Sequence, residues 1–174
     1  MDFFLRDIDT KNEKEIDLIV YRTMETVLET IPEFKHDPDL ALKVFANFTF
    51  DQMKTMIKGD FKSPNHRVLV AIDRKSNNVL GHSIFSVKKD DEGRCYGFCF
   101  SRYVDSSARR NGIATTLLKE QELWWREKSA EYVLAHTHET NTKLQSVFLK
   151  QGFEKSELIK GKHYCYFELR KPLV

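Results

Sequence analysis

The stretch SSARRNGIATTLLKEQELWW, residues 106–125, constrains this chain more than any other. From Leu117 to Trp125 it reads as an amphipathic helix, yet that helix opens with two arginines, a glycine and small residues. Glycine disfavours a helix by about 1 kcal/mol against alanine, so its place at the helix start asks for a reason. The preceding CYGFCFSRYV (95–104) has strand character, which makes the segment a strand, a small polar loop and a helix starting near Gly112. The first four N–H groups of a helix lack internal partners, and with the helix dipole they form a site for an anion, typically a phosphate. Gly112 lets the chain turn and lets a phosphate approach the backbone without a Cβ in the way. Ala114 keeps the next turn narrow, and Arg109 and Arg110 add positive charge outside the loop. The pattern is neither a Walker loop nor a Rossmann fingerprint. Taken alone, it reads equally well as a glycine cap on a core helix with surface arginines.

The rest of the chain supplies the setting. FFLRDI (3–8) is a strand candidate, and Ile16, Ile19, Val20 and Val27 give helical spacing from Glu13 to Thr30, where Pro32 ends the helix. A second helix is expected from Asp37, as N-cap with Pro38 at the first helical position, to a stop at Gly59, its stripe formed by Leu40, Val44, Phe45 and Phe48. RVLVAI (67–72) and VLGHSIFSV (79–87) read as a hairpin joined through DRKSNN, and KKDDEGR (88–94) as a charged turn into the strand 95–104. The helix 112–128, the strand YVLAHT (132–137), a helix 142–151 closed by Gly152, and strands 153–159 and 164–170 complete the order β-α-α-β-β-β-α-β-α-β-β. No repeat, low-complexity tract or linker divides the chain, so one domain over residues 1–174 is expected.

Charge and cysteine content narrow the function classes. Twenty-eight Lys plus Arg face 26 Asp plus Glu, mixed along the chain, and the net charge of +2 argues against a nucleic-acid binder. No apolar run is long enough to span a membrane. The start, MDFFLRDIDT, has acids where a secretory signal has basic residues, and Cys95, Cys99 and Cys165 are an odd set that suits reduced, strand-packing thiols, so a cytoplasmic location is expected. His136 and His138 share a strand face and could be half of a metal site, but no close pair of soft ligands accompanies them and no metal is expected. Of Trp124 and Trp125, one is expected in the core and the other at an edge.

A second stretch, NTKLQSVFLKQGF (141–153), changes the weight of the first. Together with Arg109-x-x-Gly112-x-Ala114 it resembles the GNAT superfamily of N-acetyltransferases, whose acetyl-CoA motif is [Q/R]-x-x-G-x-[G/A], followed one strand later by N-x-x-A-x-x-L-Y-x-K-x-G-F. Asn141, Val147, Phe148, Lys150, Gly152 and Phe153 fall in register with that second pattern. YVDSSARRNGIATTLL also resembles the family's V-x-P-x-x-R-x-x-G-I-G stretch, with Val104 in place and Ser106 where proline is common.

The resemblance implies an α+β fold in α/β/α layers: a mixed, mostly antiparallel sheet of about seven strands with helices on both faces. It implies acetyl-CoA as cosubstrate and an acyltransferase that moves the acetyl group to a primary amine by direct attack. The acceptor would be a small molecule or a peptide, and the protein a monomer or homodimer. The CoA pyrophosphate would lie on Arg109, Arg110, Asn111, Gly112, Ile113, Ala114 and Thr115. The backbone of Tyr103 and Val104 would pair with the pantetheine where the strand parts from 132–137, and the Asn141 side chain would touch the same arm. Phe148 stands where many members carry a tyrosine as general acid. Phenylalanine cannot donate a proton, so the thiolate leaves unassisted, or a hydroxyl such as Ser146 or Tyr164 serves, or the protein is a non-catalytic acyl-CoA-binding module. His136 sits where some members place a catalytic carboxylate, and an imidazole suits a general base, with Glu139 as the alternative. Glu25, Glu29, Glu33, Asp37 and Asp39 would form an acidic rim suited to a cationic acceptor, or simply a solvated face.

Overall fold

The computed structural model describes residues 2–44, 49–60 and 64–173. Its strands are β1 (Phe3–Asp7), β2 (His66–Asp73), β3 (Val79–Lys89), β4 (Cys95–Val104), β5 (Tyr132–His138), β6 (Glu154–Lys155), β7 (Ile159–Lys160) and β8 (Cys165–Pro172). Its α-helices are α1 (Glu13–Thr30), α2 (Pro32–His36), α3 (Pro38–Val44), α4 (Phe50–Asp60), α5 (Ile113–Glu127) and α6 (Thr142–Lys150). The strands form one sheet in the order β1-β2-β3-β4-β5-β8-β6, with β7 also on β8. Every pairing is antiparallel except β4 with β5, which is closed by the crossover through α5.

The two faces of the sheet carry separate cores. Ile16, Ile19 and Val20 of α1 pack with Phe34, Met53 and Ile57 against Val68, Val70 and Ile72 of β2. On the other face Ile113, Leu117, Trp124 and Trp125 of α5, with Phe148 and Phe153, cover Phe85, Val133, Ala135 and Leu169. Both tryptophans are buried, so the expectation of one at an edge is not met. Gly97 explains how Trp125 gets in. A Cβ there would stand 2.5 Å from the indole, so only glycine lets the ring lie on β4, where its Nε1 donates to the Ser86 carbonyl at 3.0 Å.

Other differences from the sequence reading have local causes. The helix expected from Asp37 to Gly59 is two helices, α3 and α4, and Phe45 and Phe48 of its stripe lie outside the described residues. Asp37 does cap α3, its Oδ1 accepting the Leu40 N–H at 3.2 Å. Pro32 ends α1 and, at the first helical position, also starts the short α2. The strand expected at 153–159 is the pair of two-residue pieces β6 and β7, giving eight strands where about seven were expected. Ser156 interrupts it, because its hydroxyl, rather than a carbonyl, accepts the Glu168 N–H at 3.0 Å.

Candidate active site

β4 and β5 begin as neighbours and then part. Their pairing runs from Tyr96↔Tyr132 to Cys99↔Ala135 and stops, although β4 continues to Val104 and β5 to His138. The cause lies on the other side of β4. Against β3 the register moves from Phe85↔Cys99 to Ile84↔Ser101, leaving Phe100 as an extra residue. A bulge of this kind bends its strand, and here it bends β4 at the residue where contact with β5 ends. It also shifts side-chain parity, so Cys99 and Arg102 both face α5: Arg102 Nη2 donates to Gln121 Oε1 at 2.6 Å and lies 3.8 Å from Cys99 Sγ. Beyond Cys99, the edge of β4 turned toward β5 has no ladder partner.

A cavity of about 460 Å³ opens at this fork, between the α1–α4 layer and the sheet. Phe98, Ser101 and Arg102 line it from β4, His136, Thr137 and His138 from β5, and Asn141, Tyr164 and Tyr166 from the segments beyond. Asn141 is the N-cap of α6, its Oδ1 accepting the Leu144 N–H at 3.2 Å. His136 is half-exposed, its Nε2 3.4 Å from Glu168 Oε1 on β8 and its ring edge-on to Phe98. Burial lowers its pKa from the ordinary 6.5, and Glu168 opposes that shift. His138 is buried; its Nδ1 accepts the Thr140 N–H at 3.2 Å, which places the proton on Nε2, 3.1 Å from Glu33 Oε2. The Tyr164 phenol has its pKa raised, chiefly by burial and then by Tyr166 and Glu33, so it stays protonated through neutral pH.

The loop after β4 leads to the helix start. Asp105 caps a short turn, and Arg22 of α1 ties that turn to the helical layer by donating to Asp105 Oδ2 at 2.9 Å. Arg109 Nε donates back to the Val104 carbonyl at 3.1 Å, and Asn111 Nδ2 donates to the carbonyls of Ala108 and Arg109. These bonds hold Arg110 at φ 65° and Gly112 at φ 81°, in the left-handed region. Gly112 is the N-cap of α5, no side chain caps that helix, and no acid lies in its first turn. A Cβ at Gly112 would meet nothing within 4 Å, so the space beside Gly112 at the start of α5 is open.

The fork and the helix start gather most of the residues singled out from sequence, but not all of them at the cavity. Tyr103 stacks on His82 at 5.8 Å on the α1 side, with Arg22 over its ring. Phe148 is 2% exposed and does not line the cavity; it packs on Phe153, with the Arg102 guanidinium 5.0 Å from its ring centre. Ser146 and Glu139 are exposed and away from the cavity, whereas Tyr164 lines it. None of the five acids of the expected rim lines the cavity, although Glu33 reaches His138. Sequence reasoning missed Arg102, Glu168 and the pairing of Glu33 with His138, since each contact joins distant segments. Three cavity-lining side chains carry fully buried polar atoms with no hydrogen-bond partner and fit a polar ligand: Arg102 Nε and Nη1, the Thr137 hydroxyl, and His138 Nε2, whose 3.1 Å contact with Glu33 Oε2 is not a hydrogen bond. Among the described residues no group of three or more metal-ligating side chains occurs, and no helix is long and apolar enough to cross a membrane.

Comparison with known proteins agrees with this geometry. No curated protein is similar to the chain in sequence. Among solved structures, yncA from Salmonella typhimurium, described with its cofactor acetyl-CoA, superposes with TM-score 0.73 at 16% identity over 100% of this chain and 95% of its own. The PaiA N-acetyltransferase from Thermoplasma acidophilum, in complex with coenzyme A, gives 0.72 at 14% identity over 99% of both chains. A ribosomal-protein-alanine N-acetyltransferase from Brucella melitensis gives 0.71 at 19% identity over 97% and 99%. At such identities the likeness is one of fold. Residues 26–153, most of the chain and both strands of the fork, match the family described as the acetyltransferase (GNAT) family, and the chain belongs to that family.

Proposed function

We propose that this protein is an N-acetyltransferase that moves an acetyl group from acetyl-CoA to a primary amine of a small molecule or peptide by direct attack. The observation that carries the reading is the fork: an unpaired β4 edge, buried orphan donors and an open helix start in sequence along one path, with a cavity beside it. The residues fit the cosubstrate. The N–H groups of Ile113, Ala114 and Thr115, with Arg110 beside them, would take the pyrophosphate; the β4 edge through Tyr103 and Val104 would hold the pantetheine amides as an added strand would; Asn141 would close on the same arm. Bound there, acetyl-CoA supplies the acyl group already activated as a thioester.

The chain's own groups then have defined tasks. His136, kept neutral by burial and held by Glu168, accepts the proton the acceptor ammonium must lose before its nitrogen can attack. The nitrogen forms the new C–N bond, the C–S bond breaks with its electron pair leaving on sulfur, and the second proton of the nitrogen, released as the amide forms, passes to solvent. Tyr164, a protonated phenol on the cavity wall, is a proton source for that sulfur. The cavity wall of Phe98, Tyr164 and Tyr166 suits an acceptor with an apolar or aromatic body.

Phe148 favours a second reading, a CoA-binding module without turnover, because it removes the hydroxyl from the position where the family often carries its acid. A panel of amines assayed for CoA thiol release separates the two. Acetylation of any amine at more than the rate of acetyl-CoA hydrolysis supports the enzyme. Thermal stabilisation by CoA with no turnover across the panel supports the module, and absence of both overturns the CoA reading altogether.

A further inference from the structure

Arg102 is a cation of the fork that no carboxylate among the described residues answers. Its Nη2 donates to the neutral amide of Gln121, its Nε and Nη1 are fully buried without partners, and among the described residues no carboxylate lies within ion-pair distance. A buried guanidinium normally sits against an anion, because burial removes its hydration and only an opposite charge replaces it. It also lies over the ring of Phe148, the position at which the family often carries its acid, and it borders the cavity at the point where β4 and β5 separate. We propose that Arg102 stabilises the negative charge that develops on sulfur as the C–S bond of acetyl-CoA breaks, doing electrostatically what a tyrosine at position 148 would do by protonation. The proposal rests on the acetyl-CoA reading above. It requires no added reactant: the electron pair of the C–S bond goes to sulfur, the guanidinium holds that charge until Tyr164 protonates the thiolate, His136 takes the ammonium's proton before attack, and the nitrogen's second proton goes to solvent. Stabilisation of this kind acts where charge appears in the transition state, and it needs donors fixed beforehand; the Gln121 bond and the Phe148 ring hold the guanidinium in one place.

The decisive measurement needs no acceptor. The thiol of CoA bound to the wild-type protein is titrated by the ultraviolet absorption of the thiolate. Its apparent pKa is expected to lie below that of free CoA and to rise by about 1–3 pH units in Arg102→Gln, the range by which a nearby cation moves such a group. Arg102→Lys should keep part of the effect. With an acceptor found in the amine panel, Arg102→Gln should lower kcat about 10²–10³-fold. Adding Phe148→Tyr to Arg102→Gln should return at least about tenfold of that loss, since the new hydroxyl supplies a proton at the same place. A bound thiol in the wild type that ionises no more readily than free CoA overturns the proposal, whether or not the variants fold. So does an unchanged thiol pKa in Arg102→Gln: with kcat also unchanged Arg102 is structural, and with kcat reduced it acts on the acyl oxygen instead. A wild-type protein that binds no CoA removes the cosubstrate reading and this inference together, whereas binding and turnover with an indifferent Arg102 remove only the inference.

Discussion

At the scale of single residues, His136 shows how much a position depends on its surroundings. Its place on β5 and the face it presents follow from strand alternation, but its pKa depends on burial against Phe98 and Tyr166 and on Glu168 from another strand. Burial dominates, so the neutral, proton-accepting form persists below the ordinary value of 6.5. The kcat/KM profile of the wild type should therefore rise with pH along a limb whose midpoint lies below 6.5 and does not move when acceptors of different basicity are compared. In His136→Gln that limb should vanish and the rate should fall about 10²–10⁴-fold, with CoA affinity unchanged. A variant that keeps both rate and limb would return the role of base to another group.

At the scale of elements, the start of α5 joins backbone strain to a charge site. Gly112 sits at φ 81° because the loop, pinned by Arg109 and Asn111, delivers the chain to the helix from the left-handed region. Gly112→Asp finds open space for its Cβ and pays roughly 1–2 kcal/mol for the backbone conformation. Its carboxylate would itself cap the free N–H groups of α5. The protein should stay folded while CoA affinity falls about 100-fold or more, since each charge-assisted hydrogen bond lost is worth about 1.5–3 kcal/mol. Isothermal calorimetry with CoA checks this, and an unchanged affinity in the folded variant would leave the stretch as an ordinary helix start. The helix and its loop were legible in the sequence because glycine, caps and periodicity act over a few residues. The bulge at Phe100 was not, because it exists only in the register between β3 and β4.

At the scale of the whole molecule, the two helical layers meet the sheet on either side of the fork, and α1 is tied to it by polar contacts as well as by its apolar face. Arg22 reaches the Val79 carbonyl and Asp105, and Thr23 pairs with His82 Nε2 at 3.1 Å, in the layer where Tyr103 stacks on the same imidazole. His82 is wholly buried, and burial, with a smaller contribution from Arg22, pushes its pKa down to about 3 from the ordinary 6.5. Between those values the unfolded chain binds a proton that the folded one excludes, so stability is full above pH 6.5 and is lost as pH falls toward 3. One such site gives a slope of about 1.4 kcal/mol per pH unit and a loss on the order of a few kcal/mol. Denaturant unfolding across this range should show a shallower slope in His82→Gln than in the wild type, although the variant starts from a lower stability at neutral pH. Equal slopes would mean that the imidazole is already hydrated in the folded state.

What the sequence by itself determined is what short-range physics controls: the period of most helices and strands, the cap at Asp37, the hairpin between β2 and β3, the turn at Gly112, and the paired motifs that mark the family. Only the tertiary structure decided what occupies the fork. Glu25, Glu29, Glu33, Asp37 and Asp39 looked like a rim in sequence, yet the fold leaves Glu29, Asp37 and Asp39 exposed and brings only Glu33 to His138. Phe148 sits in register with the family's tyrosine, but which side chain shares its surroundings depends on the bulge that turns Arg102 toward α5. Partners such as Glu168 and Gln121 come from distant segments, and only the register of packed strands and helices brings them together. Charge and hydrogen-bond complementarity across such distances leaves no periodic mark on a chain, and so it could be read only once the chain was folded.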